Sequence, residues 1–179
     1  MKRALALVTG AAVLAAVFGA SWHWLAPATS SAAIAKRQSG FLLLPPAAPA
    51  GQMTFYGHIK TLKRKGGHYE LGFDPAWFTS GVTASRAALQ DTGSSDVPND
   101  NYTVDEGHRV LTYLVPTNAR ITVLTNSGSG INATPITVVE LARIVNGGRR
   151  RKLFEPLASG VWIRVRIDTV RELDQQYHP

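Results

Sequence analysis

The chain contains no cysteine, which excludes disulfide bonds, cysteine-ligated zinc and a thiol nucleophile. It also excludes a membrane anchor whose lipid is carried by a cysteine. Other catalytic signatures are missing as well: there is no P-loop, no Gly-x-Gly-x-x-Gly dinucleotide fingerprint and no Gly-x-Ser-x-Gly elbow. The sequence therefore predicts no cofactor, and a small domain of this kind must be stabilised by its core alone.

Charge is missing from a long stretch near the N-terminus. After Lys2 and Arg3, residues 4–22 contain no charged side chain, which is typical of a secretory signal peptide. Extended to Leu25, the apolar run would form a helix of about 33 Å, enough to cross a bilayer. Residues 1–28 are therefore predicted to be a signal peptide or a signal anchor. Either form places the remainder outside the cytoplasm, secreted or held at the outer face of the cytoplasmic membrane.

The next segment differs in composition from the C-terminal part of the chain. Residues 29–52 are rich in alanine, proline and serine, which predicts a semi-extended linker. Alternating apolar and polar residues begin at Met53. Residues 53–179 are long enough for one compact domain and are predicted to form a single β-rich domain.

Apolar periodicity predicts the elements of this domain. Residues 53–62 and 68–73 read as a hairpin with a five-residue loop, in which Leu62 lies opposite His68 and Asp74-Pro75 ends the second strand. A short helix is predicted over residues 83–90. Residues 110–115 and 120–125 read as a second hairpin.

The C-terminal third adds one helix and one strand. Thr137 and Glu140 have the spacing of a capping box before a helical apolar pattern, and residues 161–167 alternate as the last strand. The order ββαββαβ predicts a mainly β (α+β) fold, a small antiparallel β-barrel or sandwich with two short helices. It is loosely like the OB barrel, in which the helix follows three strands.

Several short motifs lie in and between the predicted elements. They are Phe73-Asp74-Pro75, Gly81-Val82-Thr83-Ala84, Val97-Pro98-Asn99-Asp100, Ile136-Thr137, Trp162-Ile163 and Gln175-Gln176-Tyr177-His178-Pro179. With these motifs the chain resembles a group of uncharacterised exported proteins of high-GC Gram-positive (actinobacterial) bacteria. The resemblance covers roughly residues 55–179 and implies an exported bacterial protein, without implying an activity.

Two features have residue types found in catalytic or metal sites. Asp91-Thr92-Gly93 resembles the active-site loop of aspartic proteases, whose chemistry needs a second aspartate and hence a dimer here. These are also ordinary turn residues, and a helix-like stretch precedes them where that family has a strand. His58 and His68 lie about 13 Å apart in the expected hairpin, too far to share a metal ion. No metal site and no catalytic residue are therefore predicted.

Basic side chains are the main positive signal, since the chain has a formal net charge of +7 and a pI of about 10.1. An exported basic domain is expected to meet anionic partners, and nucleic acid is not expected among them. An exposed tryptophan beside arginines suits stacking and anion contact. The predicted ligand-binding residues are Lys63, Arg64, Lys65, Arg149, Arg150, Arg151, Lys152, Trp162, Arg164 and Arg166.

These observations favour a non-enzymatic exported module that binds an anionic surface polymer, a lipid headgroup or a partner protein. Two alternatives stay open: a cell-envelope hydrolase acting through Asp91 as an aspartic-protease-like dimer, and a purely structural envelope protein. The sequence leaves the oligomeric state undetermined.

Overall fold

The computed structural model describes residues 47–107, 109–128, 130–148 and 151–178. The predicted leader and most of the predicted linker, together with Arg149 and Arg150, lie outside the described residues. The strands are β1 (Met53–Lys65), β2 (His68–Ser80), β3 (Asn101–Val104), β4 (Leu111–Pro116), β5 (Arg120–Ser127), β6 (Gly130–Ile136), β7 (Val161–Arg166) and β8 (Thr169–Gln175), and the α-helices are α1 (Gly81–Thr92) and α2 (Val138–Val145).

Five of the strands close into a ring. The sheet order is β3-β2-β1-β7-β8-β5-β6, and β4 pairs with both β2 and β8, so the ring runs β1-β2-β4-β8-β7. The predicted class, mainly β with two short helices, is confirmed. The predicted order ββαββαβ is wrong, because it lacks three of the eight strands, β3, β6 and β8. The sheet is mixed rather than antiparallel, because β8 runs parallel to β4 and β5.

The interior of the ring holds the core, and α2 packs against one end of it. Leu71, Phe73, Ile163 and Leu173 are fully buried there. Helix α2 adds Val138, Leu141 and Ala142 to the same cluster. The buried cluster lies entirely within residues 62–173, so the chain from residue 47 onward contains a complete core and is expected to fold by itself.

The first hairpin exists, but its predicted register is wrong. The turn has two residues, Gly66 and Gly67, and Lys65 rather than Leu62 lies opposite His68. A bulge after Ile59 shifts the pairing by one residue. It allows Ile59 to face Phe73 while Leu62 faces Leu71, so the core side stays apolar on both sides of the bulge.

The end predicted for the second strand is also wrong. Strand β2 continues through Asp74-Pro75 to Ser80. Pro75 still lies opposite Gly57, a position where a β-carbon would come within 2.1 Å of the Asp74 carbonyl oxygen. The close approach that glycine permits keeps the two strands paired past the proline.

Strands β4 and β5 do not form the predicted hairpin. Both lie along the same edge of β8, with Leu114 of β4 opposite Thr169 and Ile121 of β5 opposite Leu173. The prediction is wrong because it lacks β8 and ends the last strand at residue 167. A bulge at Arg171 interrupts the alternation of β8, because the register shifts between the Val165–Val170 and Arg164–Glu172 pairs. A pattern of alternating apolar residues therefore does not predict this strand.

The two helices agree with their sequence signals. Helix α1 is longer than predicted. Helix α2 begins after Thr137, whose Oγ1 accepts the Glu140 N–H at 3.1 Å, as the capping box indicated. Within the residues that the structure describes, no helix is long and apolar enough to cross a membrane.

Candidate functional site

The tip of the β1–β2 hairpin carries three basic residues in a row. Lys63, Arg64 and Lys65 are all exposed. Lys65 forms an ion pair with Glu70, with Nζ 2.7 Å from Oε1, and Arg64 donates to the Gly66 carbonyl at 3.4 Å. Within the described part of the chain, Lys63 has no carboxylate partner, so the tip presents more positive charge than its neighbours neutralise.

The C-terminal end of α2 lies beside this tip. The Asn146 Nδ2 donates to the Leu62 carbonyl at 3.1 Å and to the Ala142 carbonyl at 2.7 Å. Because Leu62 directly precedes the basic tip, the Asn146 side chain holds the end of α2 against the hairpin. Arg143 is exposed in the last turn of α2 and therefore lies at the helix end that contacts the hairpin.

The second basic run predicted from the sequence follows α2 closely. Arg151 and Lys152 are exposed, and Arg151 forms an ion pair with Glu140 of α2, with Nε 2.7 Å from Oε1. Gly148 donates its N–H to the Arg143 carbonyl at 2.6 Å, which holds the chain against the helix end just before this run. We call the resulting surface the basic end: Lys63, Arg64, Lys65, Arg143, Arg151 and Lys152.

A groove opens beside the basic end. It has a volume of about 530 Å³ and lies between the end of α2 and residues 151–156. Ile144, Leu153 and Phe154 contribute its apolar surface, while Arg151 and Glu155 supply charge. Its floor could take the apolar part of a ligand whose anionic group meets Arg151.

Carboxylates are concentrated at the other end of β2. Residues 91–106 contain five acidic residues and no lysine or arginine: Asp91, Asp96, Asp100, Asp105 and Glu106. This segment runs from the end of α1 through β3, which pairs with β2 from Trp77 to Ser80. The basic tip joins β2 at its opposite end, at His68. The two signs of charge are therefore separated along the domain.

For anion binding, the separation of the two signs of charge matters more than the net charge of the described residues. Of the 19 basic residues, six lie outside the described residues, leaving 13 against 12 acidic residues. The described part is therefore almost neutral as a whole. Attraction for an anion must come from the local cluster at the basic end rather than from the net charge.

Asp91 lies where α1 ends. Gly93 adopts a left-handed φ of 78° and donates to the Leu89 carbonyl at 3.0 Å, a common helix termination. The Tyr102 hydroxyl donates to the Asp91 carboxylate at 2.6 Å, and this hydrogen bond raises the pKa of Tyr102. Helix termination and a tyrosine contact thus account for the Asp-Thr-Gly sequence.

Replacing Asp91 by alanine should lower the pKa of Tyr102 toward its ordinary value, because the phenol loses the acceptor of its proton. Binding to anionic ligands should not change, since Asp91 lies far from the basic end. Titration of ring-labelled tyrosine by NMR measures the first effect. A peptidase activity of the native chain that disappears in this variant would contradict this account of Asp91.

Trp162 and Arg164 are packed against other parts of the chain. The Trp162 ring is half-buried, with its centroid 5.0 Å from that of Tyr56 and 5.8 Å from that of Phe78. Its Nε1 donates to the Gln176 side chain. Arg164 is only 6% exposed and forms an ion pair with Glu172.

Glu172 also pairs with Arg120 at 2.8 Å, so it joins β7 and β5 across β8. Of the three residues predicted on β7, only Arg166 is exposed. It lies at the end of that strand, beside the turn into β8. Among the described residues, α2 therefore contacts both the strand that leads to the hairpin tip and Arg151 of the second run. Trp162 and Arg164 are instead packed against other side chains.

The histidines do not converge. His58 Nδ1 lies 3.0 Å from the Ala158 carbonyl oxygen, while His68 pairs with Lys65 at the hairpin tip. Among the residues that the structure describes, no group of three potential metal ligands exists.

Sequence reasoning missed two residues of the site. Arg143 could have been included, because a basic residue in the last turn is an ordinary feature of a helix end. Asn146 gave no signal, since its contact with Leu62 joins positions that are 84 residues apart.

No family model matches the chain, and neither the curated proteins nor the solved structures include one of significant similarity.

Proposed function

We infer that the chain is an exported, non-enzymatic module that binds an anionic ligand through its basic end. The observation that carries the proposal is the Asn146–Leu62 contact, because it brings α2 and the chain after it beside the hairpin tip. On this proposal the hairpin tip and the described basic residues after α2, Arg151 and Lys152, act as one surface. The segregation of carboxylates toward residues 91–106 leaves this surface electrostatically distinct.

The geometry suits an extended anion. Six basic side chains at the basic end have two carboxylates as ion-pair partners, Glu70 and Glu140. The contacts would be spread over two exposed segments, and this arrangement fits a chain of repeating negative groups better than a small ligand in an enclosed pocket. The groove beside Arg151 adds an apolar surface next to the charge.

Binding of residues 47–179 to inorganic polyphosphate and to heparin tests the proposal. Both polyanions should bind at low ionic strength, and affinity should fall steeply as salt rises, because exposed charges are screened within about 8 Å at physiological ionic strength. A neutral dextran is the control and should not bind. Affinity that does not respond to salt, or no binding at low ionic strength, would contradict the proposal.

A further inference from the structure

The turn between β7 and β8 exposes an isoleucine at its tip. Arg166 lies opposite Thr169, so Ile167 and Asp168 form a two-residue turn. The Ile167 side chain is 92% exposed, and its backbone has a φ of 61°. This left-handed conformation favours glycine, asparagine or aspartate and disfavours a β-branched residue.

Folding alone does not account for isoleucine at this position. The side chain contributes little to the core, and the backbone would be less strained with asparagine or glycine. Strained residues of this kind concentrate where a chain meets a ligand or a partner. Ile167 is therefore an exposed apolar side chain on a backbone held in an unfavourable conformation.

Two exposed arginines lie on the strands that enter and leave the turn. Arg166 precedes Ile167, and Arg171 is left without a partner in the ladder by the bulge in β8. The one carboxylate in the turn, Asp168, accepts the Thr169 hydroxyl at 3.0 Å. An apolar residue between cationic side chains is suited to the boundary between lipid headgroups and acyl chains.

The position of the turn between β7 and β8 also indicates a lipid bilayer as the partner. Met53, the first residue of β1, lies opposite Val165, two residues before Ile167, and is 63% exposed. The chain therefore enters the domain next to this turn. The residues that precede β1 include the uncharged run 4–22 that is predicted to enter or cross a bilayer, so the turn lies at the edge of the domain closest to that connection.

We propose that Ile167 inserts into the surface of an anionic bilayer, with Arg166 and Arg171 contacting the headgroups. The inference goes beyond the proposed function, since it names a bilayer as a second anionic partner of the module. It uses a different set of residues from the basic end, and the two can therefore fail separately.

The absence of cysteine allows a direct test of insertion. Ile167→Cys and Val82→Cys in residues 47–179 would each carry one environment-sensitive nitrobenzoxadiazole label. Val82, on α1, is the matched control because it is 72% exposed. With vesicles of about 30% phosphatidylglycerol in phosphatidylcholine, a strongly anionic surface, emission should shift to the blue at position 167 and stay unchanged at position 82. Equal responses at both positions, or none at 167, would overturn the proposal.

Affinity provides the second measurement. Ile167→Asn should weaken partitioning onto the same vesicles about tenfold, which corresponds to losing the burial of one large aliphatic side chain. It should raise Tm by about 3 °C through relief of backbone strain. Ile167→Leu should retain partitioning, and Val82→Asn should leave it unchanged.

Binding to soluble polyphosphate separates this inference from the proposed function. Ile167→Asn should leave polyphosphate affinity unchanged. If polyphosphate binds and the vesicle affinity of this variant equals that of the native chain, insertion is wrong and the proposed function stands. If Ile167→Asn instead converts a dimer to a monomer, the tip contacts a second copy of the chain and the bilayer proposal is wrong.

Discussion

Replacing Arg149, Arg150, Arg151 and Lys152 by glutamine should weaken polyphosphate binding about 100-fold at low salt. Each basic residue near an anionic surface contributes about 1 kcal/mol or somewhat less, and every 1.4 kcal/mol changes affinity tenfold. Glutamine removes the charge and keeps a polar side chain, and Arg151 and Lys152 are exposed, so the fold should be unaffected. Titration calorimetry at two salt concentrations measures both the affinity and its salt dependence.

The hairpin tip should contribute less than this loop. Replacing Lys63, Arg64 and Lys65 by glutamine removes one charge fewer, and Lys65 is already partly neutralised by Glu70. The matched control replaces Arg86 and Arg109, both exposed or partly exposed and outside the basic end; it should change affinity less than twofold. An equal loss in the control would mean that total charge, rather than the basic end, determines binding.

Trp162→Ala should lower the free energy of unfolding by about 3 kcal/mol and leave the affinity of the folded protein for polyphosphate unchanged. The ring packs against both Tyr56 and Phe78 and donates to Gln176, so its removal leaves a cavity and removes one contact of the C-terminal segment. Denaturant unfolding measures the change in stability.

Trp77→Ala is the matched control for this loss. Its side chain is 59% exposed, so the same substitution should cost less than about 1 kcal/mol. If Trp162→Ala instead weakened polyphosphate binding without lowering stability, the tryptophan would belong to the binding surface, as its place in the sequence indicates.

Both helices and five of the eight strands could be predicted because their signals are local. The Thr137 cap and the apolar spacing after it define α2, whereas the two-residue turn at Gly66-Gly67 was predicted as a five-residue loop. The pairing of strands could not, because a single bulge changes the register and a missed strand changes the neighbours. Once β8 is present, β4 and β5 pair with it instead of with each other.

In the candidate site, too, local features could be predicted and contacts between distant residues could not. The basic runs are visible in the sequence, whereas the contact between Asn146 and Leu62, which places the end of α2 beside the first hairpin, is not. Alternation places Trp162 and Arg164 outside the core cluster, but the expectation that they form an exposed surface is wrong, because Trp162 is half-buried and Arg164 is buried. It could not predict what covers that face. Glu172 belongs to β8 and Gln176 to the C-terminal segment, and the alternation predicted neither of them.

Mapping the contact of a short polyphosphate by NMR tests the central claim most directly. Titration into residues 47–179 should shift the amide signals of residues 63–65, 143–148 and 151–152, and the shifts should vanish at high salt. Signals of residues 91–106, in the acidic part of the domain, should stay in place. Shifts centred on residues 91–106, or spread evenly over the domain, would contradict a binding surface at the basic end.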